Sequence, residues 1–332
     1  MNVKALIRRV NHTLKLHKLF PEHSRILVAC SGGPDSMALL HLLQDIAAHR
    51  HTKYKLGIAI VDHSIRPESK DEVLWLRNQV DALGLSFYTT TIDVPTLSKD
   101  LKLSEETVGR QVRYQWLNEI AQSEGYDYIA VAHHKDDQAE SILAHLIRGT
   151  GLNGLTGMAI VNYDYDIPVI RPLLDVTKAE LLAYLAHREL TYCIDSTNDD
   201  IRYQRNRIRH RIIPELESIN PNVVDAIARL GGSVSEDLAV ISDLTVQAFE
   251  RLVTIDKGEM SLSRRALRKE PLAIQRRLWQ RLVSSIDSDI MLTTAHQEQL
   301  LDIVNTGEAK TFTIKSIKVT AQCDTIKVYC KH

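Results

Sequence analysis

Five apolar residues, Ile26-Leu27-Val28-Ala29-Cys30, run straight into Ser31-Gly32-Gly33-Pro34-Asp35-Ser36 and then into a helical stretch at 37–48. No other feature of the 332 residues constrains the fold as tightly. A short buried strand, a glycine turn and a helix form the first half of a βαβ unit. The glycines let the backbone approach an anion, and the helix start offers unpaired N–H groups and the positive end of its dipole. Ser31 and Ser36 add hydroxyl donors. The Lys-Ser/Thr ending and longer glycine spacing of a Walker A loop are absent, so backbone N–H groups and hydroxyls must hold the anion. Asp35 beside a polyphosphate calls for a divalent cation between them, which makes it the candidate Mg2+ ligand. The plainer alternative is a strand–turn–helix with Asp35 or Ser36 as N-cap.

The alternation continues along the chain. An amphipathic helix opens at 3–19. Strands at 56–61, 87–94 and 128–132 then alternate with helical segments at 68–83, 104–123 and 136–148. Such spacing predicts βαβ crossovers and a parallel sheet covered on both faces, with the ligand at the carboxyl ends of the strands. Pro214 and Asn220-Pro221 break the pattern, 223–253 reads as nearly continuous helix, and 311–330 alternates like a terminal hairpin or small sheet. The expected fold is therefore α/β: a doubly wound, mainly parallel sheet over 1–217, then a mostly helical second domain over 218–332 ending in a small β segment.

Composition narrows the function classes. A hydrophobic content of 44% supplies a sizeable core. Forty-one Lys and Arg oppose 42 Asp and Glu, a net charge of −1, so any nucleic acid must be held by local basic patches. No apolar run reaches the roughly 18–20 residues of a membrane span, and the N-terminus lacks a signal-peptide stretch. Cys30, Cys193, Cys323 and Cys330 are scattered without a C-x-x-C, which argues against a disulfide scaffold, a zinc ribbon or a redox pair. The chain reads as a cytoplasmic, globular protein with no membrane partner.

Two further segments bear on chemistry. His133-His134-Lys135-Asp136-Asp137-Gln138-Ala139-Glu140 follows the fourth strand, at the ligand edge. It lacks H-E-x-x-H and a nearby cysteine, so zinc is disfavoured. With Asp137 as N-cap and Glu140 at N3 the segment would close a capping-box-like pair. The same first turn puts the two carboxylates on one face, where they can hold Mg2+ or position and deprotonate an amine nucleophile. Gly149-Thr150-Gly151-Leu152-Asn153-Gly154 matches G-x-G-x-x-G, yet it follows a helix rather than a strand, which excludes a dinucleotide site. It reads either as a glycine loop near the site or as a helix C-cap at Gly149 and a turn.

The strand, S-G-G-x-D-S and helix at 26–48 resemble the signature of the PP-loop ATP pyrophosphatases. That resemblance implies a Rossmann-like fold, cleavage of ATP between the α and β phosphates, and an adenylated substrate. Further segments narrow it: Val61-Asp62-His63-Ser64-Ile65-Arg66-Pro67-Glu68-Ser69, Gly109-Arg110-Gln111-Val112-Arg113-Tyr114, the run 132–140, Arg148 to Leu155, Arg171-Pro172-Leu173-Leu174, Asp195-Ser196-Thr197-Asn198 and Arg205-Asn206-Arg207-Ile208-Arg209. In this order, over roughly 1–215, they resemble the tRNA(Ile)-lysidine synthase family; the helical remainder resembles it more weakly.

The resemblance implies a reaction in which ATP activates C2 of the wobble cytidine of a CAU anticodon, the ε-amine of L-lysine displaces AMP, and lysidine forms. ATP would then lie on Ser31, Gly32, Gly33, Pro34, Asp35 and Ser36, with Asp62 and His63 by the adenosine. The candidate catalytic groups are Asp35, Arg113, Asp137 and Glu140. The planar fork of Arg113 can brace either the α-phosphate or the lysine carboxylate, with a surface ion pair as the plain alternative. Which of Asp137 and Glu140 acts as base stays open. Arg205, Arg207 and Arg209, in a run from Arg202 to Arg211, and Arg264, Arg265 and Arg268, in a run to Arg281, are the candidate tRNA contacts. Basic runs are usually solvated faces; beside an anticodon substrate they become a phosphate track. A homodimer is left open.

Three rival readings make different demands on the chain. A PP-loop tRNA thiolase would need grouped cysteines for an iron–sulfur cluster or persulfide relay. A glutamine-dependent amidating enzyme would need an added glutaminase domain. A nucleotide-sensing module would not need the carboxylates at 137 and 140.

Overall fold

The computed structural model describes residues 3–48, 53–64, 69–193, 204–306 and 308–330. Ile65 to Glu68, Asp195-Ser196-Thr197-Asn198 and Arg202, singled out in the sequence, lie outside the described residues. Two compact units form, Met1–Gly232 and Ser233–His332.

The first unit begins with α1 (Val3–Leu16), β1 (Arg25–Ala29), α2 (Pro34–Ala47), β2 (Lys55–Asp62), α3 (Ser69–Ala82) and β3 (Ser86–Thr91). It continues through α4 (Val94–Leu101), α5 (Glu105–Ser123), β4 (Tyr128–Ala130), α6 (Lys135–Arg148), α7 (Leu152–Leu155), β5 (Val161–Asn162), β6 (Val169–Ile170) and α8 (Lys178–His187). The strands form one sheet in the order β3-β2-β1-β4-β6-β5. All neighbours are parallel except the edge pair β5–β6.

Alternation along the strands explains the two covered faces. Ile26, Val28 and Cys30 bury against α1, α2 and α8, in a core with Val10, Leu40 and Leu181. Leu27, between them, points the other way and packs with Ala59, Ile129 and Tyr114, Leu117 and Ala121 of α5. At Gly57 the covering layer comes so close that a side chain could be added only by displacing the Tyr126 ring. The chain lays β2 and β3 on one side of β1 and then crosses to β4 on the other. The order therefore reverses between the carboxyl ends of β1 and β4, which is where such sheets bind ligands.

A four-residue helix, α9 (Gln204–Arg207), a π turn at Ile208–Ile212, α10 (Ile213–Ile219) and α11 (Val223–Leu252) follow. Residues 208–224 stay with the first unit because Ile208, Ile213 and Val224 bury against Ala139 and Leu143 of α6. Lys135 Nζ also holds Asp225 Oδ1 at 2.6 Å. The compact units accordingly meet at Gly232, inside α11, and not at the Pro214 and Pro221 breakers.

The second unit contains β7 (Thr254–Asp256), β8 (Glu259–Ser263), α12 (Arg264–Arg268), α13 (Leu272–Ser284) and α14 (Thr294–Thr306). The terminal alternation becomes β9 (Lys310–Ile314), β10 (Ile317–Gln322) and β11 (Thr325–Cys330). The unit is less purely helical than the sequence suggests, because β7 and β8 extend these into a five-stranded antiparallel sheet, β7-β8-β11-β10-β9. Its core joins Trp279, Leu278 and Leu282 of α13 to Val319, Ile326 and Val328 of the sheet.

Candidate functional site

The glycine turn lies where β1 ends and α2 begins. Gly33 is the N-cap, with Pro34 in the first turn, so neither Asp35 nor Ser36 caps the helix. The Ser36 hydroxyl braces the loop instead: it donates to Gly33 O at 2.9 Å and accepts the Ser31 N–H at 3.2 Å. Gly32 sits at φ +78°, a left-handed conformation that β-carbon-bearing residues rarely adopt. Asp35 faces Lys178 Nζ at 3.3 Å and His134 Nε2 at 3.6 Å, both from its Oδ2. Its Oδ1 is buried with no hydrogen-bond partner among the described residues.

His134, 1% exposed, is the hub of the neighbouring loop. α6 starts at Lys135, one residue before the expected 136–148 segment, but its cap is not the expected Asp137. His134 is the N-cap and Asp137 the N3 residue, with His134 N–H donating to Asp137 Oδ2 at 2.9 Å. The ring lies within 3.6 Å of carboxylate oxygens of Asp35, Asp136 and Asp137. Burial opposes charge on this ring, but hydrogen bonds to Asp136 and Asp35 and the charge of Asp137 outweigh it, pushing the pKa up to about 9. Asp137 N–H also approaches Nδ1 at 3.4 Å, a contact that would need a neutral ring. With three carboxylates around it, the imidazolium is the favoured form.

Asp137 and Glu140 do share a face, and that face is filled. Arg205 donates from Nε to Glu140 Oε2 and from Nη2 to Asp137 Oδ1, both at 2.8 Å. Arg209 donates from Nε to Glu140 Oε1 at 2.6 Å and from Nη2 to Glu140 Oε2 at 3.0 Å. Two of the three arginines expected to meet RNA in this run thus bind carboxylates; Arg207 is exposed. Burial raises the Asp137 pKa, but His134 and Arg205 reverse the sign and hold it below the usual carboxylate range.

Across the sheet edge, Arg113 of α5 is half-buried, and no carboxylate pairs with it among the described residues. His63 is pushed down to about 4 by burial and by Arg113, and its Nδ1 is buried without a partner among the described residues. The Asp62 carboxylate is turned back on its own loop, where Oδ1 accepts the Ser64 N–H at 2.9 Å. His133 is pushed down to about 3, mostly by burial, and its Nδ1 accepts from Arg171 Nε at 3.3 Å. Gly149 ends α6 at φ +77°, which settles this residue as a C-cap. His145 Nδ1 then meets Gly154 O at 2.9 Å and folds the glycine segment back on α6.

The family described as PP-loop domain matches residues 4–216. A tRNA(Ile)-lysidine synthase of Nostoc sp. is 33% identical over 294 residues, covering 84% of this chain and 83% of that protein. The chain belongs to the tRNA(Ile)-lysidine synthase family. The Caldanaerobacter subterraneus subsp. tengcongensis member is 30% identical over 98% of this chain and 68% of its own length. The Thermosipho africanus member is 39% identical over 74% of this chain, which spans only 56% of that relative's length. Among solved structures, the U34-tRNA thiolase NcsA from Methanococcus maripaludis superposes with a TM-score of 0.61. It is 20% identical and covers 70% of this chain and 78% of that one, a likeness of fold alone.

Lys178 and Arg171 join the candidate site through Asp35 and His133, and sequence reasoning misses both. Lys178 opens α8, whose start is signalled by the Thr177-x-x-Glu180 capping box that the structure forms in full. Arg171 stands in the quoted Arg171-Pro172 segment, but its 3% exposure and contact with His133 need the fold. In the second unit, Arg264 is also 3% exposed and donates from Nη2 to Glu308 O at 2.7 Å, which removes it from the arginines a phosphate can reach. Arg268 is turned onto the carbonyls of Val304 and Asn305. Arg265 stays exposed.

Proposed function

We propose that this chain uses ATP to attach L-lysine to C2 of the wobble cytidine of the CAU anticodon of tRNA(Ile), through an adenylated cytidine, releasing AMP and pyrophosphate. The observation that carries this reading is the family match spanning 83% of the Nostoc relative. A braced glycine loop at the point where the strand order reverses supports it.

The residues present fit Mg2+ carried by a polyphosphate. The unpartnered, buried Asp35 Oδ1 is a hard oxygen donor left over when Oδ2 engages Lys178 and His134. When bound, the cation would neutralise phosphate charge. The chain's own groups do the rest. Loop N–H groups and the Ser31 hydroxyl grip pyrophosphate, and Lys178 beside Asp35 adds a positive charge there. Arg113, free of any carboxylate among the described residues, offers its fork to the α-phosphate or to the lysine carboxylate. Asp137, held ionised, is a weak base, so its part is to orient the lysine ammonium in competition with Arg205 and Arg209. A tRNA substrate would place this work in the cytoplasm; among the described residues no helix is long and apolar enough to cross a membrane.

The test is incubation with ATP, Mg2+, L-lysine and tRNA(Ile) bearing CAU, followed by mass spectrometry of the digested nucleosides and identification of the nucleotide products. Lysidine with AMP and pyrophosphate is expected. ADP and phosphate, or an unmodified cytidine, would overturn the reading.

A further inference from the structure

The N-terminal helix carries a charged stripe that the site does not use. α1 buries Leu6, Val10 and Leu14 in the core of the first unit. Lys4, Arg8, His12 and Lys15, spaced four, four and three residues apart, fall on the opposite face, and all four are exposed. His17 and Lys18 continue the exposed basic run beyond the helix. From Met1 to Pro21 there is no acidic residue at all, in a chain whose total charge is −1. The helical rise from Lys4 to Lys15 stretches this stripe over about 16 Å.

The acids that approach α1 do not neutralise it. Glu180 takes Arg9, whose Nη2 lies 2.6 Å from Oε1, and Asp175 accepts the Thr13 hydroxyl at 3.3 Å. Among the described residues Lys4, Arg8, Lys15 and Lys18 have no ion pair. The same two contacts tie the helix to the site. Glu180 and Asp175 flank Lys178, which holds Asp35 in the glycine loop. The stripe thus stands one packed element away from the proposed nucleotide.

A basic amphipathic helix can also lie on an anionic membrane, but only by inserting its apolar face. Here that face is already spent on the core, with Leu6, Val10 and Leu14 at most 3% exposed. What remains for a partner is mostly charge, with Leu16 at the end of α1 the one exposed large apolar side chain of the helix, too little to insert and a match for a phosphate backbone. We propose that the exposed face of α1, through Lys4, Arg8, Lys15 and Lys18, binds the phosphate backbone of the RNA substrate. This rests on the proposed tRNA activity for the identity of that RNA.

The experiment compares the full chain with a K4E/R8E/K15E/K18E variant and with the gentler K4Q/R8Q/K15Q/K18Q. It measures the affinity for unmodified tRNA(Ile) from 50 to 200 mM salt, affinity for ATP, and binding to vesicles containing anionic lipid. Expected are at least a tenfold loss of tRNA affinity at low salt, a log–log salt slope shallower by about 0.9 for each phosphate no longer neutralised, and unchanged ATP affinity. The neutral variant should show the same change, reduced in size, with an unaltered melting temperature. Wild-type tRNA affinity and slope in both variants would overturn the proposal while leaving the lysidine reading intact. So would intact tRNA binding with abolished vesicle binding, which would assign the face to a membrane surface. A wild-type chain that binds no tRNA would overturn both.

Discussion

Glu140 is 1% exposed and accepts from Arg205 at one oxygen and from Arg209 at both. Neutralising this buried carboxylate leaves Arg205 and Arg209 to share Asp137 Oδ1 as their carboxylate partner among the described residues. We expect Glu140→Gln to destabilise the protein by about 3 kcal/mol, the low end for breaking a buried ion pair, because the arginine side chains keep 24–35% exposure. Lysidine formation should fall about a hundredfold or more, the usual scale for charge-positioning groups. Thermal melting measured beside turnover separates the two effects. An active, merely less stable Glu140→Gln would reduce the clamp to a structural device.

The His134 cluster makes stability depend on pH in a definite direction. Its folded pKa of about 9 stands above the ordinary value of 6.5. The stabilisation is therefore complete below about pH 6.5 and is lost as pH rises through 9. Asp35, Asp136 and Asp137, all shifted below the ordinary value, contribute stability that is lost only in stronger acid. The melting temperature should fall on the order of 3 °C or more between pH 6.5 and 9. His134→Asn, which keeps an N-cap side chain, should remove that slope. A slope unchanged in His134→Asn would sink the assignment.

What the sequence makes legible is local. The strand, glycine turn and helix at 26–48 are contiguous, and the three-residue spacing of Asp137 and Glu140 fixes their shared face whatever the fold. The partners of those carboxylates are not legible. Arg205 and Arg209 lie 65 to 72 positions downstream, in a basic run whose charge pattern is equally that of an RNA surface. Nor does spacing reveal burial: Arg264 looks like its exposed neighbour Arg265 until the chain folds. The cap of α6 is hard to place because histidine is an uncommon N-cap, and Asp137, a favoured one, draws the expected cap three residues late.

Gly32 tests whether the loop needs its backbone shape. An added Cβ would meet Cys193 Sγ and the Trp75 ring at 3.6 Å, ordinary contact, so space is not the obstacle. The obstacle is the φ of +78°. Gly32→Ala should cost about 1–2 kcal/mol in melting or denaturant unfolding, the penalty for a left-handed residue bearing a β-carbon. If the loop relaxes to escape that strain, its N–H groups leave the phosphates, and ATP affinity should fall. Wild-type ATP affinity in Gly32→Ala would show that the conformation is not required for binding.

The basic run of the second unit divides by burial at Arg264 and by hydrogen bonding at the exposed Arg268. Arg264 Nη2 holds Glu308 O, two residues past α14, while Arg268 donates to Val304 O and Asn305 O and so closes the carboxyl end of α14. That end is the negative pole of the helix, and cations there are stabilising. Arg264→Glu would put a carboxylate where the side chain is 3% exposed, at a cost of several kcal/mol, so its melting temperature should drop sharply or the unit should not fold. Arg265 and Arg276 are exposed. We expect Arg265→Glu and Arg276→Glu to leave melting unchanged, to weaken tRNA binding, and to shallow its salt slope by about 0.9 per phosphate left unneutralised. ATP affinity should stay at the wild-type value in both, since the proposed nucleotide site lies in the first unit. A salt slope unmoved by both exposed reversals would make this run a solvated face, whatever Arg264→Glu does to stability.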